Sequence, residues 1–363
     1  MRHLPLALAL LLSTAGLASA NLKVSLVTVS PGPVVFESFG HTMVMVENPD
    51  VSTASATLYE YGAVNPAKVF RNPDPMQAFQ DLFDSKVKTN ASRFQSPMAQ
   101  VDEKTRFPII LKYRYIAPRP DSFRTVTIDE LSLSDDQAKE LVAQLDADMK
   151  AGEYNYDNYR NNCATRVRDH LFDDKVLGAG PRLELDYKLD SSIQDEVLGS
   201  IDEAIADSPS HMMTLVPPNQ ERMLGDAIMM LQMMGIPKKF SSSKQFYDAL
   251  KKGEASMQGL VGADQPIVKS FHNYFFGDEL TQKPITTGQA MFLPKKLRET
   301  LLNVKNPATG KNVIDPANEI RRSTADELAA SKAAQQPPKP AAPQPQSSLQ
   351  PLPESHHAGM AHI

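Results

Sequence analysis

YDNYRNNCATRVRDHLF, residues 156–172, contains Cys163, the only cysteine of the 363-residue chain. Asn161 and Asn162 stand directly before it, and an asparagine side chain caps the free N–H groups that open a helix. The spacing predicts a helix that begins at Asn161 or Asn162 and runs through CATRVRDHLF to about Phe172. Cys163 then falls in the first turn. Unpaired N–H groups and the helix dipole favour thiolate over thiol there. Arg166 and Arg168 add positive potential from the same helix. The bland alternative is a buried cysteine that acts as an inert small apolar residue.

The compartment bears on that choice. MRHLPLALALLLSTAGLASA, residues 1–20, reads as a secretory signal peptide: Arg2 makes a short basic start, an apolar run follows, and Ala18-Ser19-Ala20 has the small-x-small pattern of a cleavage site. No cysteine sits directly at that site, so the lipid-anchored lipoprotein pattern is not expected. A periplasmic or secreted location is expected. Exported proteins usually pair their cysteines, and a single thiol in an oxidising compartment is exposed to oxidation. Retaining one favours use.

Composition narrows the function classes. A net charge of −5 provides no basic footprint for nucleic acid. After the leader, no stretch has the ~20 apolar residues of a membrane helix. Ala227–Ile236, AIMMLQMMGI, comes nearest and suits a buried helix better. Of the 16 methionines, those between Met212 and Met234 form a dense group. Such a group usually fills an irregular core, but it can also line an adaptable lipid or peptide groove. Peripheral membrane contact therefore stays open.

From Asn21 to Ile128 the chain alternates like strands: Leu22–Ser30, His41–Asn48, Thr57–Val64, Arg106–Ala117 and Ser122–Leu131. Short spacing favours antiparallel pairing. Pro75–Lys86 reads as a short helix or surface insertion. At Leu131 the period changes. Ser134 caps a helix whose Leu141, Leu145 and Met149 share a face and which stops at Gly152. Ser191–Leu260 is expected to be helical in several pieces, with Ser242 or Ser243 capping a helix that ends at Gly253. The expected division is a leader at 1–20, a thiol domain at 21–190, a helical extension at 191–321 and a disordered Pro/Gln-rich tail at 322–363.

A thiolate nucleophile needs an imidazole that takes and returns a proton. His170 lies seven residues after Cys163, ~10 Å along the same helix axis and out of direct reach. His211 is in a loop-like context, and His272 is among aromatics. His356, His357 and His362 lie in the tail and are not read as a metal site. His41 remains, between Gly40 and a strand. On its own, a histidine on an apolar strand face is also what a satisfied core residue looks like. Glu60 on the following strand is the candidate to orient it. An exposed strand carboxylate is the plain alternative. Tyr159, Asn162 and Ser38 are candidates near the substrate carbonyl or oxyanion. No G-x-S-x-G elbow, P-loop, GxGxxG or H-E-x-x-H stands in the sequence, and no cofactor or metal is called for.

Taken together, SFGHTMVMVEN, YEYGAVN and YRNNCATRVRDHL resemble the Lnb N-terminal periplasmic domain family. The order of strand histidine first and helix-start cysteine later is similar to the circularly permuted papain-like enzymes, including the NlpC-type and lecithin:retinol acyltransferase-like proteins. The resemblance spans about Asn21 to Asp174. It implies an α+β fold with an antiparallel sheet and a nucleophile helix. It also implies Cys–His acyl transfer through a thioester on an acyl-bearing envelope substrate, whether lipid, lipoprotein or peptide. The founding members carry a membrane domain that this sequence lacks. Three outcomes follow. Lipid acyl transfer predicts a long apolar groove, and a cell-wall or peptide amidase predicts a polar open cleft. A non-catalytic envelope module predicts a Cys163 that is buried or lacks contact with His41.

Overall fold

A computed structural model describes residues 21–62, 74, 77, 80–82, 84–101, 105–118, 123–178, 188–216, 221, 225–276, 284–286 and 290–335. The leader and the last part of the tail lie outside these residues.

Alternating apolar residues build an antiparallel sheet: β1 (Lys23–Val29), β2 (His41–Asn48), β3 (Ser52–Tyr61), β4 (Lys88–Gln100), β5 (Arg106–Pro108) and β6 (Thr125–Glu130). With a late strand, Ile320–Ser323, the spatial order is Ile320–Ser323, β6, β1, β2, β3, β4, β5, curled into a half-barrel. Glu153–Asn155 forms β7, which pairs with β4. The central strands are buried on both faces. Val24, Leu26, Val44, Val46, Tyr59 and Tyr61 face one core, and Val27, Val29, Met43, Met45 and Leu58 face the other.

Helix α1 (Asp135–Ala151) opens at Ser134, whose hydroxyl accepts from Gln137 N–H while the Gln137 side chain accepts from Ser134 N–H. It ends at Gly152, where φ is +81°. Helix α2 (Cys163–Leu171) opens at Asn162 and packs on β2. Both caps fall where the sequence puts them. The helices α3 (Ile193–Asp207), α4 (Gly225–Met233), α5 (Ser243–Val261) and α6 (Pro266–Phe276) enclose a second core around Phe240, Phe246 and Phe271. Within the Met-rich stretch, Met213 and Met234 belong to this core, while Met229 and Met233 are exposed.

Several expectations need correction. Arg106–Ala117 is not one strand: after Pro108 the chain turns into Ile109–Leu111 and then a π-helical turn, Lys112–Ile116. β4 was not anticipated, because KTNASRFQSPMAQ is polar and holds a proline. Only the pairing with β3 reveals it as a strand. Helix α5 runs past Gly253 to Val261; Gly253 lies against Ile236, and the packing overrides its low helix propensity. The last apolar stretch does not stay with the helices either. β8 to β11 are Lys188–Ser192, Met213–Thr214, Lys239–Phe240 and Pro284–Thr286, and β12 is the Ile320–Ser323 strand. Helix α7 (Pro294–Asn303) puts Leu297 and Leu301 into the core that also holds Cys163, and β12 pairs with β6. The boundary expected near residue 190 therefore separates stretches that share a core. Thr324–Gln335 is helix α8, so the Pro/Gln-rich tail starts later than residue 322. In the expected helix Pro75–Lys86, Gln77 and Gln80–Leu82 are helical.

Candidate active site

Gly40 sets the entry of β2. Its φ is +79°, and a Cβ there would stand 2.5 Å from the Val29 carbonyl oxygen. Only glycine makes this turn without strain. The next residue is His41, opposite Val29 at the end of the β1–β2 ladder. Glu60 lies on the neighbouring strand, β3: Met43 pairs with Glu60, so Glu60 shares the sheet face of Met43 and His41. The His41 Nε2 lies 3.1 Å from Glu60 Oε1, and both residues are buried.

Cys163 enters from α2. Asn162 holds the helix start: its Oδ1 accepts from the N–H groups of Ala164 and Thr165, both at 2.9 Å. Its Nδ2 donates to the carbonyls of Asn158 and Phe292. The Cys163 thiol hydrogen-bonds His41, and the Thr42 and Ala164 N–H groups point at the sulfur. With Nε2 turned to Glu60, Nδ1 is the ring nitrogen left for the thiol.

The electrostatics follow from this packing. Burial alone would raise the Cys163 thiol. The His41 charge, the His41 hydrogen bond and the two backbone N–H groups outweigh it and bring the thiol below its ordinary value. Burial alone would lower His41. The negative sulfur and Glu60 outweigh that and raise it to about 9. Burial opposes ionisation of Glu60 as well, but His41 and Arg114 hold its carboxyl at about 2. These directions favour the thiolate–imidazolium form over the neutral pair, with Glu60 ionised behind it.

Two residues that the sequence reading did not single out support Glu60. Arg114 Nη1 and Nη2 donate to its two carboxylate oxygens at 2.6 and 2.7 Å. Tyr115 Oη donates to Oε1 at 3.3 Å, and Arg124 lies over the Tyr115 ring. Arg114 and Tyr115 both come from the π-helical turn, a conformation that often marks functional positions. Their run, KYRYI, reads as strand in the sequence, which hides them.

The other candidates are placed as follows. Tyr159 Oη donates to the Phe275 carbonyl at 3.3 Å. Ser38 Oγ donates to the Val35 carbonyl at 2.7 Å. Asn162 is occupied by its four cap and loop bonds. Asn162 stands directly before Cys163, Ser38 and Tyr159 line an aromatic crevice, and the polar groups of all three are engaged within the protein. His170 sits with Asp148, Gln144 and Tyr61, and His272 with Glu254. Among the described residues, no cluster of His, Cys, Asp or Glu could hold a metal ion.

An open cleft of about 440 Å³ borders His41 and Glu60. Arg114, Arg124 and Lys88 line it together with Glu37. The aromatic crevice, of about 50 Å³, is lined by Ser38 and Phe39, just before the His41 strand, and by Tyr156 and Tyr159, just before the Cys163 helix.

Fold and site define a class: an α+β protein in which a helix-start cysteine meets a strand-start histidine backed by a carboxylate. Residues 108–193 match the family model described as the Lnb N-terminal periplasmic domain. The match takes in Arg114, Tyr115 and Cys163, while His41 and Glu60 precede it. No curated protein and no solved structure matches the chain. Among the described residues, no helix is long and apolar enough to cross a membrane.

Proposed function

We propose that this protein is an exported, periplasmic cysteine enzyme that cleaves or transfers acyl groups through a thioester at Cys163. The observation that carries the proposal is the buried contact of Cys163 with His41, itself bonded to Glu60. An antiparallel sheet with the histidine strand first and the cysteine helix later supports a permuted papain-like arrangement.

The Cys163 thiolate attacks the acyl carbonyl carbon, and the carbonyl π electrons move to oxygen. The Cys163 N–H at the start of α2 is suited to hold that oxyanion, because the Asn162 side chain already engages those of Ala164 and Thr165. The C–N or C–O bond breaks as the His41 imidazolium gives its proton to the departing nitrogen or oxygen. Neutral His41 then takes a proton from water or an amine, whose oxygen or nitrogen attacks the thioester and releases the thiolate. Glu60 keeps the ring in register and balances its charge.

His41 must reach the leaving group, so the cleft that it lines is the leaving-group side. That cleft is charged and open, which supports hydrolysis of an amide or ester with a polar leaving group. Lipid acyl transfer is the second reading. The exposed Met229 and Met233 are the observation in its favour, as a place where the protein could meet a membrane surface. The Cys163–His41 contact argues against a purely structural module.

The test is alkylation of Cys163 by iodoacetamide across pH, in the mature protein and in His41→Ala. The thiol is unique, so every adduct reports on it. Wild type is expected to react with an apparent pKa well below the free-thiol value of ~8.5, and His41→Ala to shift it upward. A profile indifferent to His41 would sink the proposal.

A further inference from the structure

We infer that the aromatic crevice beside the site is an acyl-side specificity pocket that takes a small apolar group, built jointly by the thiol domain and the helices that follow it. The inference rests on the thioester reading of Cys163 and adds the size of the acyl group.

The crevice is lined by Phe39 and Tyr156 from the thiol domain and by Val197, Ile201, Phe246 and Phe275 from α3, α5 and α6. Its position is tied to the chemistry at both ends. Phe39 stands two residues before His41, and Tyr156 packs against the core that holds Cys163. Tyr156 also packs against the helical core. The helices are bolted to the two segments that carry the pair. Ser200 Oγ donates to the Ser38 carbonyl at 2.6 Å, and Tyr159 Oη donates to the Phe275 carbonyl.

The direction of the substrate follows from the proton that His41 returns. The leaving group occupies the polar cleft along His41, so the acyl portion extends the other way, toward the crevice. Volume sets what fits. A cavity of about 150 Å³ holds benzene, or about 25 Å³ per carbon. At about 50 Å³ the crevice takes about two carbons. That matches a short acyl chain or a small apolar amino-acid side chain, and not a fatty acyl chain.

The experiment acylates the mature protein with p-nitrophenyl acetate, butyrate, hexanoate and octanoate. Each ester transfers its acyl group to the Cys163 sulfur with loss of p-nitrophenolate, and intact mass gives the rate. Rates are divided by those of free cysteine with the same ester. Butyrate is expected to exceed octanoate at least tenfold. Val197→Phe, at a half-buried position, should fill the crevice and move the optimum to acetate, and Phe275→Ala should extend it to hexanoate. Normalised rates equal at all lengths, or variants that slow every ester alike, would overturn the inference. If His41→Ala leaves acylation by acetate unchanged, the thioester reading itself fails, whatever the length profile.

Discussion

Glu60 is the residue whose environment most constrains the site. It is buried, it accepts from His41, Arg114 and Tyr115, and its carboxyl is held at about 2 against an ordinary 4.5. Its stabilising contribution is therefore complete above about pH 4.5 and is lost as pH falls through 2. Glu60→Gln should lower stability at pH 6 by on the order of 3 kcal/mol and by much less at pH 2.5, as read by denaturant melts at each pH. The same variant should raise the alkylation pKa of Cys163, because His41 loses the charge that helps keep it protonated. Arg114→Ala removes the bidentate partner. Arg114 is 40% exposed, so water takes over part of its role and the expected loss is ~1–3 kcal/mol. His41 governs the alkaline side. Its pKa is raised to about 9, so proton return to the leaving group fails as pH rises through that value. Turnover of an amide or ester substrate should fall there, while alkylation, which needs only thiolate, should persist.

At the scale of elements, two short devices aim the pair. The first is the Gly40 turn into β2. Gly40→Ala forces a Cβ to 2.5 Å from the Val29 carbonyl in a left-handed conformation. It should cost about 1–3 kcal/mol and displace His41, seen as a lower melting temperature with a raised Cys163 reactivity pKa. The second is the Asn162 cap of α2. Asn162→Ala removes the acceptor for Ala164 and Thr165 and the donor to Asn158 and Phe292. Loss of the cap alone costs ~1 kcal/mol, and the two carbonyls left without their donor add to it. Asn162→Asp keeps the acceptor but adds a negative charge beside the sulfur, so it should recover part of the stability while raising the thiol pKa.

At the scale of the molecule, the thiol domain depends on the end of the chain. Leu297, Leu301 and Ile314 are fully buried in the core that holds Cys163, and β12 extends the sheet beside β6. Each such side chain contributes ~1.5–3 kcal/mol on burial, against a total stability of ~5–15 kcal/mol for a folded protein. A chain truncated after Asp190 should lack a cooperative thermal transition, and a sharp melt near that of the full chain would refute this dependence. The α3–α6 helices sit between these parts in sequence and stand against the active-site segments in space.

The sequence by itself determined the local events. Alternation marked β1, β2 and β6, Ser134 and Asn162 marked the helix starts, and the lone cysteine behind an asparagine cap marked Cys163. Gly40 before a strand marked His41, and Glu60 on the next strand fell beside it because side chains alternate with period two. These features depend on residues a few positions apart, so they are written in the chain. The tertiary structure decided the rest. Arg114 and Tyr115 reach Glu60 only because a run of β-formers is wound into a π turn after Pro108. The polar strand β4 exists only through its pairing with β3, and from more than a hundred residues away β12 extends the sheet and α7 closes the first core. Contacts of such long sequence separation are set by burial and pairing across the whole fold, and no local pattern records them.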